Sequence, residues 1–250
     1  ANLLGEPVQL RKGTVLTELE PVEVVSEDGK LPSATPEHIT KMLTRIDPSV
    51  PESIAMEMEQ LLNKYANAFS KDEYDLGWTD LVKHSIDIGD HPPARQALRR
   101  VPISQRAVID KHVDEQLRQG IIEPTQSPFA ANLVIVKKSD GSTRACCDFR
   151  DLNQLSKRDC YPLPRMDQCL DALGGGNTIF TTLDLRNSYH QVAMEPKDIH
   201  KTAFICHRGA FAYRTMPMGL VNSGATFQRL MDMVMSGLIF ETCLVYLDDI

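Results

Sequence analysis

The sequence predicts an α+β fold in which a largely antiparallel sheet packs on helices. Segments with strand-like alternation and segments with helical periodicity follow one another irregularly, which argues against regular βαβ winding. The 250 residues contain no internal repeat and are long enough to bury a large core. A hydrophobic content of 42% and a charged content of 24% are ordinary for a soluble globular protein.

Composition excludes several classes of protein. The cysteines form neither a C-x-x-C pair nor a zinc-knuckle spacing, so we expect reduced thiols in an intracellular protein. The sequence shows neither a signal peptide nor an apolar run of membrane-spanning length, and we expect no membrane partner. The net charge of -7 argues weakly against nucleic-acid binding, because a local basic patch matters more than the total.

The first third of the chain divides into two regions. Residues 1–32 have short β-like runs, whereas residues 33–90 are rich in Ser, Thr and Pro in their first part and are predicted to be a linker. Within the linker, residues 51–69 have the apolar spacing of an amphipathic helix, with Ile54, Met58, Leu61, Leu62, Tyr65 and Phe69. A basic cluster follows at Arg95, Arg99 and Arg100.

Helices and strands alternate from residue 103 onward. The apolar spacing predicts a helix over Ile103–Gln119, with Gly120 as its stop. Two β-rich runs around the turn at 139–142 predict a hairpin. The remaining predicted elements are a helix over Pro164–Leu173, a strand over Thr178–Leu185, a β-rich zone over Tyr189–Thr215, a helix over Ala225–Leu238 and a strand over Phe240–Leu247.

Two of these predicted strands end on acidic residues. One reaches Asp184, and the other is followed by Asp248 and Asp249. If the strands are neighbours, three carboxylates converge, and their repulsion would raise their pKa values unless a cation is present. Carboxylate oxygens suit Mg²⁺, and two such ions about 4 Å apart can catalyse phosphoryl transfer. An Asp-Asp pair alone is more often a surface turn, so the strand context carries the inference.

The order of motifs resembles the reverse transcriptase domain of gypsy-like LTR retrotransposon Pol polyproteins. The resemblance is close from Ser127 to Ile250, through SPFAANLVIVKKSDGSTRACCDFRDLN, YPLPRMDQCLDAL, FTTLDLRNSYHQV, KTAF, MPMGLVNSGATFQ and YLDD. It implies the fingers and palm of a right-hand polymerase over residues 91–250, with residues 1–32 resembling the protease–polymerase junction. In this family YLDD lies in a hairpin turn, so we expect the sequence to stop within the palm, before the thumb and RNase H regions.

The resemblance assigns the catalytic and metal-binding residues. Asp184 and Asp248 would each bridge two Mg²⁺ or Mn²⁺ ions, Asp249 would be the less direct member of the triad, and the Leu185 carbonyl would complete one metal shell. The metals would activate the primer 3′-OH and hold the incoming triphosphate.

The resemblance also assigns a nucleotide site. Arg144 and one lysine would clamp the triphosphate; counting from Ser127 favours Lys138, which we prefer, and counting back from Arg144 favours Lys137. Further nucleotide contacts would come from the backbone of Asn187 and Ser188, from the sugar gate Tyr189, and from Met218 and Gly219. Gln228 and Pro128 would contact the template–primer.

The function that the resemblance implies is an RNA-directed DNA polymerase. Its partners would be an RNA or DNA template with a primer, together with dNTPs, and its location would be the cytoplasm, a virus-like particle or the nucleus. One alternative is an inactive retroelement-derived fragment that serves as an interaction module. Another is a two-metal nuclease, which predicts further acids and often a histidine, but neither a triphosphate clamp nor an aromatic gate.

Overall fold

The computed structural model describes residues 35–47, 50–72, 75–137, 141, 143–174 and 180–250. The chain divides into two compact units, Ala1–Phe69 and Ser70–Ile250. None of the helices within the described residues is long and apolar enough to cross a membrane. The β-like region predicted at 1–32 lies outside the described residues.

The first unit contains two helices and a short 3₁₀ turn. Helix α1 spans Glu37–Leu43, α2 spans Glu52–Lys64, and the 3₁₀ turn follows at Ala66–Ala68. The predicted amphipathic helix is therefore present, but it ends five residues before Phe69 because the chain tightens into the 3₁₀ turn. The ring of His38 contacts the Ala66 carbonyl at 3.0 Å and joins α1 to that turn.

The second unit carries the remaining strands and helices. Its strands are β1 (Thr79–His84), β2 (Ile122–Pro124), β3 (Ala131–Lys137), β4 (Thr143–Cys147), β5 (Val192–Met194), β6 (Phe204–Cys206) and β7 (Gly209–Tyr213). Its helices are α3 (Ile103–Arg118), α4 (Arg150–Leu155), α5 (Met166–Leu173) and α6 (Ser223–Val234).

Five of the strands form one sheet in the order β2-β7-β6-β3-β4. Strands β3 and β6 are parallel, while the other neighbouring pairs are antiparallel. Separately, β1 and β5 pair in parallel as a two-stranded sheet. The predicted α+β class with a largely antiparallel sheet is confirmed.

Helix α3 packs on this sheet and ends as the sequence predicts. Ile109 and Val113 on its inner face are fully buried, together with Phe204 of the sheet. Gly120 has a φ of 70°, the Gly120 N–H donates to Leu117, and the Ile121 N–H donates to the Gln116 carbonyl. These two bonds form a Schellman motif, which needs a left-handed residue where the sequence supplies glycine.

Two predicted strands are wrong. Among the described residues of the segment 178–185, only Asp184 makes a β-bridge. Phe180 and Leu183 are 56% and 50% exposed, so too little apolar surface is buried to stabilise a strand there. The segment 240–247 contains no strand either, because left-handed residues at Phe240 and Leu247 fold it into turns.

The other predicted elements are present with shifted boundaries. The hairpin of β3 and β4 is confirmed, although most of its turn lies outside the described residues. The predicted β-rich zone contains three short strands: a 3₁₀ helix separates β5 from β6, and a tight turn joins β6 to β7. The two predicted helices over 164–173 and 225–238 are both shorter than predicted. Residues 79–88, predicted as linker, instead provide β1 and three buried residues, His84, Ile86 and Ile88.

His84 makes the stability of this unit depend on pH. Its ring is 2% exposed, with Nδ1 2.8 Å from the Thr226 hydroxyl, and burial lowers its pKa from 6.5 to about 4. At pH values between about 4 and 6.5, His84 therefore binds a proton in the unfolded chain but not in the folded chain. We expect the free energy of unfolding to be greatest above pH 6.5 and to fall by up to about 3 kcal/mol towards pH 4.

Urea unfolding at a series of pH values measures this slope. The His84→Asn variant retains an amide that can reach Thr226 but does not titrate, so its slope below pH 6.5 should be shallower. The exposed His91→Asn variant should keep the slope of the parent chain. Equal slopes in all three proteins would contradict the assignment to His84.

Candidate active site

Backbone pairing brings the three candidate catalytic aspartates together. Leu183 and Ile250 exchange two backbone hydrogen bonds of 2.8 and 3.0 Å, and the Leu185 N–H donates to the Asp248 carbonyl at 3.3 Å. Asp184 therefore lies opposite Asp249 in an antiparallel bridge, and the two residues form a non-hydrogen-bonded pair. The Cα atoms of such pairs are about 4.5 Å apart, and their side chains lie on one face.

A tight turn places Asp248 beside this pair. Tyr246 and Asp249 exchange backbone hydrogen bonds of 2.9 and 3.1 Å, so Leu247 and Asp248 are the two central residues. Leu247 has a φ of 57°, which usually belongs to glycine or asparagine and costs a leucine about 1–2 kcal/mol. The hairpin turn expected for YLDD is therefore present, although a strand does not precede it.

A buried glutamine holds the strained residue. The Gln228 side chain is 0% exposed, and its Oε1 accepts the Leu247 N–H at 2.9 Å. Its Nε2 donates to Asp232 Oδ1 at 2.8 Å, and Asp232 also accepts the Tyr161 hydroxyl at 2.6 Å. This burial leaves Gln228 no surface for the template–primer contact predicted for it, and we assign it to the turn instead.

Two neighbours face Asp248. The Ser188 hydroxyl, which is buried, donates to Asp248 Oδ2 at 3.2 Å. The half-buried Tyr189 ring stacks on Phe227 with centroids 5.3 Å apart and an interplanar angle of 18°. Burial raises the pKa of Tyr189, and the negative charge of Asp248 raises it further. The tyrosine is therefore a neutral aromatic surface beside the carboxylates.

The donor set is chemically suited to Mg²⁺, because it consists of carboxylate and carbonyl oxygens. Asp184 and Asp249 are exposed and Asp248 is half-buried. Among the residues that the structure describes, however, no group of three or more His, Cys, Asp or Glu is already arranged around a single metal position. The backbone aligns these acids, and their side chains would have to turn inward to share an ion.

The other predicted nucleotide contacts lie on two loops. Asn187 is left-handed with a φ of 45° and precedes the 3₁₀ turn Ser188–Gln191. Met218 is 53% exposed, and Gly219 has a φ of 94°, with nothing closer than 3.8 Å to the point that a Cβ atom would occupy. The glycine is therefore required by its backbone angle and not by crowding within the protein.

The predicted triphosphate clamp lies on the hairpin of β3 and β4. Val136 pairs with Arg144 and Lys137 pairs with Thr143, so Lys137 and Arg144 lie on opposite faces. Both are exposed, and Lys138 lies outside the described residues. Pro128 is also exposed, next to the buried Phe129.

The sequence interpretation missed residues that position this site. The Asn153 side chain donates from Nδ2 to the Gly219 carbonyl at 2.8 Å, and its Oδ1 accepts the Val221 N–H at 2.9 Å. Asp232 and Tyr161 were not singled out at all. For Asp232, the available signal was its spacing of four residues from Gln228 on one helix face.

The Gln228 contact can be tested by its effect on stability. Gln228→Met keeps the length of the side chain but leaves the Leu247 N–H without its acceptor, which should cost about 1–3 kcal/mol in the free energy of unfolding. Gln105→Met on the exposed first turn of α3 is the control and should change it by less than about 0.5 kcal/mol. Equal values for the two variants in urea titrations would contradict the role given to Gln228.

Comparison with known proteins adds independent findings. Residues 135–250 match the family model described as reverse transcriptase (RNA-dependent DNA polymerase). The Pol polyprotein of the Drosophila melanogaster transposon 297 is 37% identical over 201 residues, which cover 78% of this chain and 19% of that protein. That of the Drosophila melanogaster transposon gypsy is 31% identical over 207 residues, covering 80% and 20%.

Solved structures agree with these relatives. The crystal structure of prototype foamy virus protease–reverse transcriptase superimposes with a TM-score of 0.72 at 25% identity, covering 85% of this chain and 28% of that one. The chain spans about a fifth of the length of the two Drosophila Pol polyproteins. Together, the motifs, the fold and these matches show that the chain belongs to the reverse transcriptase family, and the two curated relatives named above are retrotransposon Pol polyproteins.

Proposed function

We propose that this chain is the fingers-and-palm part of an RNA-directed DNA polymerase that adds dNTPs to a primer 3′-OH. The observation that carries the proposal is the pairing of Asp184 with Asp249 beside the turn that presents Asp248. A foamy viral protease–reverse transcriptase of the same fold has been solved in complex with an RNA/DNA hybrid. We extend this partner, an RNA or DNA template with a primer, to the present chain.

The residues of the site take distinct roles in this reaction. Asp184, Asp248 and Asp249, with the Leu185 carbonyl, would hold two Mg²⁺ or Mn²⁺ ions. When bound, such ions lower the pKa of an attacking hydroxyl and offset the charge on a leaving pyrophosphate. The Ser188 hydroxyl orients the Asp248 carboxylate through its hydrogen bond. Gln228 keeps the backbone of the turn in place.

The incoming nucleotide would meet Tyr189 and the hairpin. The ring of Tyr189 is braced by Phe227, so it presents a fixed face on which a 2′-OH would collide. Arg144 would bind the triphosphate through its guanidinium, since a planar fork matches phosphate oxygens. The opposite faces of Lys137 and Arg144 argue against Lys137 as its partner in this clamp, so Lys138 stays our preference. The backbone of Asn187 and Ser188, together with Met218 and Gly219, completes the proposed nucleotide contacts.

One observation favours a second function. The acidic side chains of the described residues do not yet surround a common metal position, as an inactive interaction module would allow. This alternative predicts that the chain binds nucleic acid or protein without metal-dependent turnover. The described residues form no metal-holding group that includes a histidine, which the nuclease alternative would often require.

The catalytic assignment is tested by Asp248→Asn. Asparagine keeps the size of the side chain and an acceptor for Ser188 but removes the charge that would bind metal. We expect dNTP incorporation on a primed RNA template with Mg²⁺ to fall by about a thousandfold, since loss of a metal ligand removes several kcal/mol of transition-state stabilisation. The affinity of the chain for Mn²⁺, measured by water-proton relaxation, should fall in parallel.

This test needs a matched control variant and a choice of protein length. Asp151→Asn removes an equal charge from the exposed face of α4 and should leave both readouts unchanged. Because the relatives are longer, incorporation is measured on the chain and on a fusion to the region that follows the match in such a relative. A fusion that incorporates dNTPs at the parent rate with Asp248→Asn would overturn the assignment. A parent fusion without incorporation would support the inactive module.

The sugar gate is tested by comparing two substitutions of Tyr189. Tyr189→Ala removes the ring, so the ratio of kcat/KM for ribonucleotides to that for dNTPs should rise by about 10- to 100-fold. Tyr189→Phe keeps the ring and its stack on Phe227, so its ratio should equal that of the parent. This ratio does not depend on the fraction of active enzyme. An unchanged ratio in Tyr189→Ala would show that Tyr189 is not the sugar gate.

A further inference from the structure

A polar cavity of about 190 Å³ lies against α6. Asn222, Thr226 and Arg229 line it from α6 and its cap, at a spacing of four and three residues that keeps them on one face. Gln228, one residue before Arg229, contacts the turn on another face of the helix. The cavity is therefore separate from the carboxylates of the candidate active site.

Two other segments complete the walls of the cavity. Lys83, Ser85 and Asp87 line it from the end of β1 and the residues that follow. They alternate with the buried His84, Ile86 and Ile88, so the alternation of an extended chain turns all three polar side chains outward. The loop Lys157–Asp159 supplies the third wall.

The backbone of that loop is held in place. The Lys157 N–H donates to the Asp87 carbonyl at 2.8 Å, and the Asp159 N–H donates to Asn222 Oδ1 at 3.0 Å. The Asn222 amide in turn donates to the Lys157 carbonyl at 2.7 Å. These contacts order the walls before any ligand arrives, which lowers the entropic cost of binding.

The charge of the cavity is opposite in sign to that of the whole chain. Four cationic side chains line it, Lys83, Lys157, Arg158 and Arg229, against the two carboxylates Asp87 and Asp159. Lys157 pairs with Asp87 at 2.8 Å and Arg229 pairs with Asp159 at 2.6 Å. Lys83 and Arg158 are exposed and have no ion-pair partner within the described part of the chain. Two positive charges are therefore left for a ligand, although the chain carries a net charge of -7.

We propose that this cavity binds a phosphate of a nucleic-acid strand, as an anchor separate from the candidate active site. Lysine and arginine that lack protein partners are the usual donors to phosphate oxygens. Among the described residues, its lining includes no aromatic side chain on which a base could stack, which favours the sugar–phosphate backbone over a free nucleotide. The anchor rests on the proposed function only for the identity of its partner, and requires neither metal binding nor catalysis.

The anchor is tested by measuring how salt concentration changes the affinity of the 250-residue chain for a fluorescent primed RNA template. The measurement is made without metal. The double variant Lys83→Gln/Arg158→Gln removes both unpaired charges from the cavity. We expect its affinity at 0.1 M salt to be about tenfold lower, and the slope of log K against log[salt] to be smaller by about 1–2. Arg106→Gln/Lys111→Gln on α3 removes the same charge elsewhere and should change the slope much less.

The outcomes separate this anchor from the proposed activity. A binding loss confined to the cavity variant supports the anchor even if Asp248→Asn shows that the carboxylates do no catalysis. Equal losses in the two double variants would show a general charge effect and overturn it. A second experiment measures the effect of inorganic phosphate on the Tm. If phosphate raises the Tm of the parent chain but not that of the cavity variant, while both bind the template equally, the cavity takes small anions and the nucleic-acid anchor is wrong.

Discussion

The geometry of the candidate active site depends on the buried amide of Gln228. A leucine in the left-handed region is unfavourable, and Leu247 stays there because its N–H has a buried acceptor at 2.9 Å. Without that acceptor, the turn would lose the bond that offsets its strain, and Asp248 would no longer be fixed beside Ser188. One side-chain amide thus connects the core packing of α6 to the position of a candidate catalytic carboxylate.

Helix α6 also connects the two proposed sites. Asp232 accepts from both Gln228 and the Tyr161 hydroxyl, and the Arg229 guanidinium lies over the Tyr161 ring at 4.6 Å. The hydrogen bond to Asp232 raises the pKa of Tyr161, which keeps this phenol protonated as a donor. A continuous set of contacts therefore runs from the wall of the basic cavity to the YLDD turn. Since each polar group in it has a partner, the set favours a single arrangement of both ends.

Sequence patterns predicted the elements that have strong local signals. Helix α3 with its Gly120 stop and the hairpin of β3 and β4 follow from periodicity and turn residues, which act over a few neighbours. In the segments 180–185 and 240–247 the composition is typical of strands but the structure contains none, because a strand also needs covered side chains and a backbone without left-handed residues. The motif order identified the carboxylates, whose convergence depends on contacts between residues far apart in the chain. Local periodicity could not show the role of Gln228, since its burial results from tertiary packing.

The distribution of charge would allow an acidic chain to bind the polyanion proposed as its partner. At physiological ionic strength, exposed charges are screened beyond about 8 Å, so a nucleic-acid strand at the cavity responds to Lys83 and Arg158 more than to the total charge. The exposed Asp184 and Asp249 repel the same strand unless cations neutralise them. The cavity, on another face of α6, does not share this requirement. In the proposed function, anchoring and chemistry therefore respond differently to metal: the acids need it before phosphate can approach, whereas the basic cavity attracts phosphate without it.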